Sequence, residues 1–67
     1  MDYCEWGREY LRQAQKMKEH LSPLRDRLKS ISGEEAILLR RRIAMLDEMY
    51  LELCHTGRYL LRKGARE

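Results

Sequence analysis

Phenylalanine and valine are absent from this sequence, and the remaining β-branched residues are few. A sheet has little to build on, because strands draw on β-branched and aromatic side chains to cover their pleated faces. Cysteine is scarce too. Cys4 and Cys54, one near each end, are too few for a disulfide scaffold and suit a reducing, cytoplasmic setting with free thiols. The opening Met1-Asp2-Tyr3-Cys4-Glu5-Trp6 is polar and acidic and does not resemble a secretory signal. Apolar runs such as Ala36-Ile37-Leu38-Leu39 fall far below the roughly 20 residues that a spanning helix needs, so no membrane association is expected.

What is abundant is helix-forming. Charged residues make up 37% of the chain, and Lys, Arg, Glu, Leu and Met abound. The net charge of +3 permits an acidic partner without requiring one. Sixty-seven residues form one domain at most. Domains of that size bury only about 60% of the surface their unfolded chains expose, which makes them marginal. Disulfides, metals or oligomerisation supply the missing stability in such cases, and this composition leaves oligomerisation.

Two helices can be placed within a single 1–67 domain. Asp2 followed by Glu5 fits a capping box and opens helix 1 near residue 3. Ser30-Ile31-Ser32-Gly33-Glu34-Glu35 punctuates the middle, with Ser32 as the cap of helix 2, Glu35 answering it, and Gly33 easing the turn. Helix 1 is thus expected over 3–31, the turn over 32–34 and helix 2 over 35–62, with fraying beyond Leu61 near the breakers Gly57 and Gly64. Ser22-Pro23 suits the start of a separate short helix. The periodicity favours continuity with a kink, because one heptad frame holds on both sides of Pro23.

That frame consists of Tyr3, Tyr10, Met17, Leu24 and Ile31 in one row and Ala14, Leu21 and Leu28 in the other. Helix 2 repeats it with Ala36, Ile43, Tyr50, Gly57 and Gly64 beside Leu39, Leu46, Leu53 and Leu60. Sustained heptads flanking a tight turn predict an all-α fold, an antiparallel coiled-coil hairpin. Placing the rows of one helix against those of the other sets Ile31 on Ala36, Leu28 on Leu39, Leu24 on Ile43 and Leu21 on Leu46. Towards the ends, Met17 meets Tyr50, Ala14 meets Leu53, and glycines meet large residues. Gly57 becomes a socket for Tyr10, Gly7 for Leu60 and Gly64 for Tyr3, the complementarity a dense core needs.

One seam leaves apolar residues over. The outer face of helix 1 is polar, with Arg8, Glu9, Gln15, Lys16, Ser22 and Lys29. The corresponding face of helix 2 carries Ile37, Leu38, Ala44, Met45, Leu51 and Tyr59, which a solvent-facing helix should not. These six form the candidate interface, widened by Trp6, Leu11, Met49, Cys54 and Leu61. A second copy packing there gives a homodimeric four-helix bundle with helix 2 central; a different protein is the alternative occupant.

Chemistry finds less support. Cys4, His20, Cys54 and His55 are not in metal-ligand spacing, and the inferred register keeps Cys4 away from Cys54. Cys54 and His55 are adjacent on a helix and diverge by about 100°, which is no nucleophile–base geometry. No catalytic, cofactor or metal residue is therefore nominated, and the chain reads as an interaction module, a scaffold or adaptor, rather than an enzyme. Nucleic-acid binding is the second reading. Arg40, Arg41 and Arg42 near the turn and Arg58, Arg62 and Lys63 at the other end are candidate phosphate contacts. Asp26, Glu34 and Glu35 dilute the first cluster, and no recognition motif accompanies either.

The pattern Tyr10-Leu11-Arg12…Leu21-Ser22-Pro23-Leu24-Arg25, then Arg41-Arg42-Ile43-Ala44-Met45-Leu46, resembles short helical-hairpin proteins of unknown function from Gram-positive bacteria, their phages and mobile elements. It is also similar to the helical start of some phage transcriptional regulators related to sigma factors. The resemblance spans most of the chain and rests on heptad texture. It implies a regulatory or adaptor role and carries over no functional residues.

Overall fold

Asp2 stands in an extended conformation, and its carboxylate accepts the backbone N–H groups of Cys4 and Glu5 at 3.0 and 3.3 Å. Two of the bare amides at a helix start are thereby satisfied, and α1 (Tyr3–Leu28) begins where expected. The computed structural model describes residues 2–66, so residues 1 and 67 of the expected 1–67 unit lie outside the described residues. Within it α1 and α2 (Glu34–Arg66) pack against each other as an antiparallel hairpin, and no strand occurs among the described residues.

α1 continues through Pro23, as the unbroken heptad predicts. Proline removes one bond to the carbonyl of Glu19, but both residues are exposed, so water can satisfy that oxygen. The helix stops at Leu28 rather than at 31. Ser30 explains the early end: its backbone N–H and its hydroxyl both donate to the Arg27 carbonyl, at 3.0 and 2.9 Å. Such local bonding competes with further helical propagation.

The start of α2 corrects the expected cap. Gly33, not Ser32, offers the carbonyl that accepts the first helical bond, from Ile37 N–H at 3.2 Å. Its φ of 70° is a left-handed conformation that glycine adopts without steric cost. The far end differs as well, because α2 runs to Arg66 instead of fraying near 62. Gly57 and Gly64 do not break it, since both face α1 rather than solvent.

The two rows inferred for each helix are those withdrawn from solvent. Gly7, Ala14, Leu21, Ala36, Gly57 and Leu60 are buried, and the other seam residues are half-buried. At the open end the register holds to within one turn, but the glycine sockets are occupied differently. A Cβ on Gly7 would lie 2.8 Å from the Gly57 carbonyl oxygen and 3.0 Å from Leu61 Cγ. One on Gly57 would meet Leu11 Cγ at 2.8 Å, and one on Gly64 would meet Cys4 Sγ at 2.6 Å and Tyr3 Cβ at 3.3 Å. Leu61 and Leu11 thus take the places expected for Leu60 and Tyr10, while Tyr3 shares Gly64 with Cys4. The reason is close backbone approach, which draws residues from the seam's flank over the glycines.

The hairpin is thin. It measures 52 × 15 × 14 Å with a radius of gyration of 15.4 Å, against about 11 Å for a compact domain of this length. Its accessible surface is 5476 Å², about 1,000 Å² above the roughly 4,500 Å² that a compact monomer of this mass presents. Only Ala14, Leu21, Ala36 and Leu60 are buried hydrophobics among the described residues, and Leu21 is the one large side chain fully enclosed. Four such residues make a small core for two helices of 26 and 33 residues.

Candidate interaction surface

Much of the outer face of α1 is paired within its own turns. Glu9 pairs with Arg12 one turn on and accepts from Gln13 at 3.0 Å. Gln15 donates to Glu19 at 3.4 Å, and Lys29 approaches Asp26 at 3.8 Å. The Gln13 hydrogen bond, with the charge of Arg12, holds the Glu9 carboxyl below the ordinary carboxylate range. These residues are solvated partners of one another and present little for another protein to cover.

α2 presents the opposite. Ile37, Leu38, Met45, Leu51 and Tyr59 are exposed by 51–58% of their surface, and Ala44 is exposed beside them. All six sequence-nominated interface residues are therefore accessible on one helix. Met49 extends the face at 46% exposure, whereas Trp6, 43% exposed, does not join it: it stands on α1 beside Asp2, Glu5, Arg8, Glu9 and Arg12. Leu11, Leu61 and Cys54 do not widen it, because they are half-buried at the flank of the seam. The only ion pair of α2 among the described residues reaches across to the other helix: Asp47 accepts from Arg25 of α1 at 3.0 Å.

The arginines near the turn do not assemble. Arg40, Arg41 and Arg42 are exposed but diverge around the helix, and Arg42 lines a groove with Arg27, Ile31, Glu35, Leu38 and Leu39. At the other end Arg62 and Lys63 converge with Tyr59 and Arg66 around a shallow hollow, which Arg58 does not line. Lys63 Nζ also stands 4.9 Å from the centre of the Tyr3 ring, a cation–π contact.

Two features had not been inferred. Trp6 lies between Tyr3 and Tyr10, with ring centroids 6.4 and 6.3 Å apart, as a short aromatic ladder on one flank. Spacings of three and four residues on a helix were its available signal. The Arg25–Asp47 pair joins two positions on the same flank of the seam, one beside Leu24 and the other beside Leu46, about a turn and a half away from the facing position of the inferred register.

Cys4 and Cys54 are free and half-buried, and the seat of Cys4 on Gly64 places it roughly 15 Å along α2 from Cys54. Cys54, one turn from Tyr50 on α2, raises the Tyr50 phenol above its ordinary pKa. Among the described residues no three His, Cys, Asp or Glu side chains gather as a metal site, and no helix is long and apolar enough to cross a membrane. No protein-family model matches the chain, and neither a curated protein nor a solved structure matches it significantly.

Proposed function

We propose that the chain is a small helical interaction module, a cytoplasmic scaffold or adaptor without catalytic activity, which pairs with a second copy through the outer face of α2 to make a four-helix bundle. One observation carries this reading: of the seven exposed large hydrophobic side chains among the described residues, only Trp6 is on α1. A solvated helix has no use for such a one-sided distribution. The surplus surface supports it, since about 1,000 Å² exceeds the roughly 800 Å² per partner of a standard interface.

Sedimentation velocity from low to high micromolar concentration tests the proposal. The chain is expected to sediment as a dimer. Leu51→Glu, which would bury an unpaired charge, should raise the dissociation constant by at least about tenfold. Gln15→Glu, on the outer face of α1, should leave it unchanged. A wild-type chain still monomeric at high micromolar concentration overturns the reading.

A second reading, a nucleic-acid-associated regulatory accessory protein, is favoured by the convergence of Tyr59, Arg62, Lys63 and Arg66 at the open end. Phosphate contacts there would make binding to generic DNA or RNA fall steeply with salt. Failure to bind either polymer at low ionic strength removes it.

A further inference from the structure

We infer that the second copy docks antiparallel on α2 about a twofold axis passing beside Ala44 and Met45, so that Arg41 of each chain faces Glu48 of the other. The inference rests on the self-association proposed above and adds its geometry.

Two charges on the outer face of α2, Arg41 and Glu48, have no local partners. Arg41 has Ile37, Leu38, Ala44 and Met45 three and four residues away, and Glu48 has Ala44, Met45, Leu51 and Glu52. Helical ion pairs form at those spacings, so neither charge can be matched by its own turn. The two lie roughly 10 Å apart along the helix, too far to meet each other. Neither forms an ion pair with α1 among the described residues, and both are exposed. On α1, by contrast, Glu9, Arg12, Asp26 and Lys29 all find partners within a turn.

A twofold contact requires that if one residue faces another, the second faces the first. A single placement meets that condition for the apolar row and the charged row together. With the axis beside Ala44, that residue meets its own copy, and the small side chain permits close approach. Ile37 then faces Leu51 of the second copy on either side of the axis. In the adjacent rows Met45 meets Met45 of the second copy, and Arg41 faces Glu48 of the second copy twice over. One step further out, Glu34 faces His55 of the second copy. A parallel pairing would instead set Arg41 on Arg41 and Glu48 on Glu48, which electrostatics opposes. The Ala44 row and the Arg41 row are each complementary to themselves about this axis, while the Met45 row sets Leu38 on Glu52 of the second copy. The overlap covers 34–55, which takes in five of the six nominated face residues and leaves Tyr59 outside it with Arg58, Arg62, Lys63 and Arg66 at both ends of the bundle.

Two experiments on the full chain test this, with sedimentation run in parallel. In the charge exchange, Arg41→Glu and Glu48→Arg should each weaken the dimer by about tenfold, and the double variant should restore it to within about threefold. Because the two positions do not touch within a chain, rescue reports a contact between chains. In the second experiment Ala44→Cys should form a disulfide-linked dimer under mild oxidation, with the 44–44 link identified by peptide mass spectrometry. Wild type, which already holds Cys4 and Cys54, is the control for other links. A dimer that shows neither rescue nor a 44–44 link overturns this register while leaving self-association standing. A wild-type monomer overturns both.

Discussion

Near the turn the helices are separated by side chains, with Leu24, Leu28, Leu39 and Ile43 half-buried between them. At the open end side chains are removed instead, and Gly7 and Gly57 bring the two backbones together. The flanks follow this difference. Beside the bulky half, Arg25 and Asp47 reach across to each other in solvent, whereas beside the glycine half Leu11, Leu61 and Cys4 fold inward over the small residues. The outer face of α2 changes too, from Ile37, Leu38 and Met45 to Tyr59 set among Arg58, Arg62 and Lys63. One hairpin therefore joins by volume at one end and by close approach at the other. Only the volume-joined half carries the run of apolar residues from Ile37 to Leu51 on its outside.

The comparison is broken most severely by removing volume where volume holds the helices. Leu21 is 1% exposed, so Leu21→Ala leaves a cavity that little else can fill. A loss of about 2–5 kcal/mol is expected in chemical denaturation at a fixed protein concentration, since association would otherwise shift the midpoint. A loss below about 1 kcal/mol would mean that the turn half collapses readily and is not volume-limited. The converse change belongs to the open half. Gly7→Ala gains about 1 kcal/mol of helix propensity, yet its methyl must displace a backbone carbonyl at 2.8 Å. Overpacking of that kind costs about 1–3 kcal/mol, and here the obstruction is main chain, so a net loss of about 1–2 kcal/mol is expected from the same denaturation curves. A Gly7→Ala chain as stable as wild type would show that the backbones have room to part.

Much of this difference was legible in the sequence, because heptad spacing assigns residues to faces before any contact is known. The burial of Ala14, Leu21, Ala36 and Leu60 and the exposure of Ile37, Leu38 and Leu51 both follow from it. What periodicity does not specify is distance. How closely two helices approach at Gly7 and Gly57 decides whether Leu60 or Leu61 rides over the glycine, and that depends on every side chain in the layer at once. The two helix ends that flank the turn depart from expectation for a local reason. Ser30 diverts its bonds to Arg27, and Gly33 takes a left-handed turn, which moves both boundaries without disturbing the heptads. The face of α2 is readable from its composition, whereas the placing of Trp6 between Tyr3 and Tyr10 on α1 is seen only in the folded chain.

The smallest expected effect is also the one that resolves the open half most finely. Gly57 faces Gly7 across the same contact, so a simple picture of symmetric close approach would make the two alanine substitutions equivalent. Their surroundings are not. The new methyl at Gly57 meets Leu11 Cγ and Cδ2 at 2.8 and 2.9 Å, atoms of a side chain that can rotate, and the nearest main-chain atom, the Gly7 carbonyl oxygen, is at 3.1 Å. Leu11 is only half-buried and has solvent to move towards. The gain of about 1 kcal/mol in helix propensity should then nearly cancel the cost of turning Leu11 aside, leaving Gly57→Ala within about 0.5 kcal/mol of wild type. Equal, substantial losses for Gly7→Ala and Gly57→Ala would show that the contact is limited by main chain on both sides, and that Leu11 is fixed where it lies.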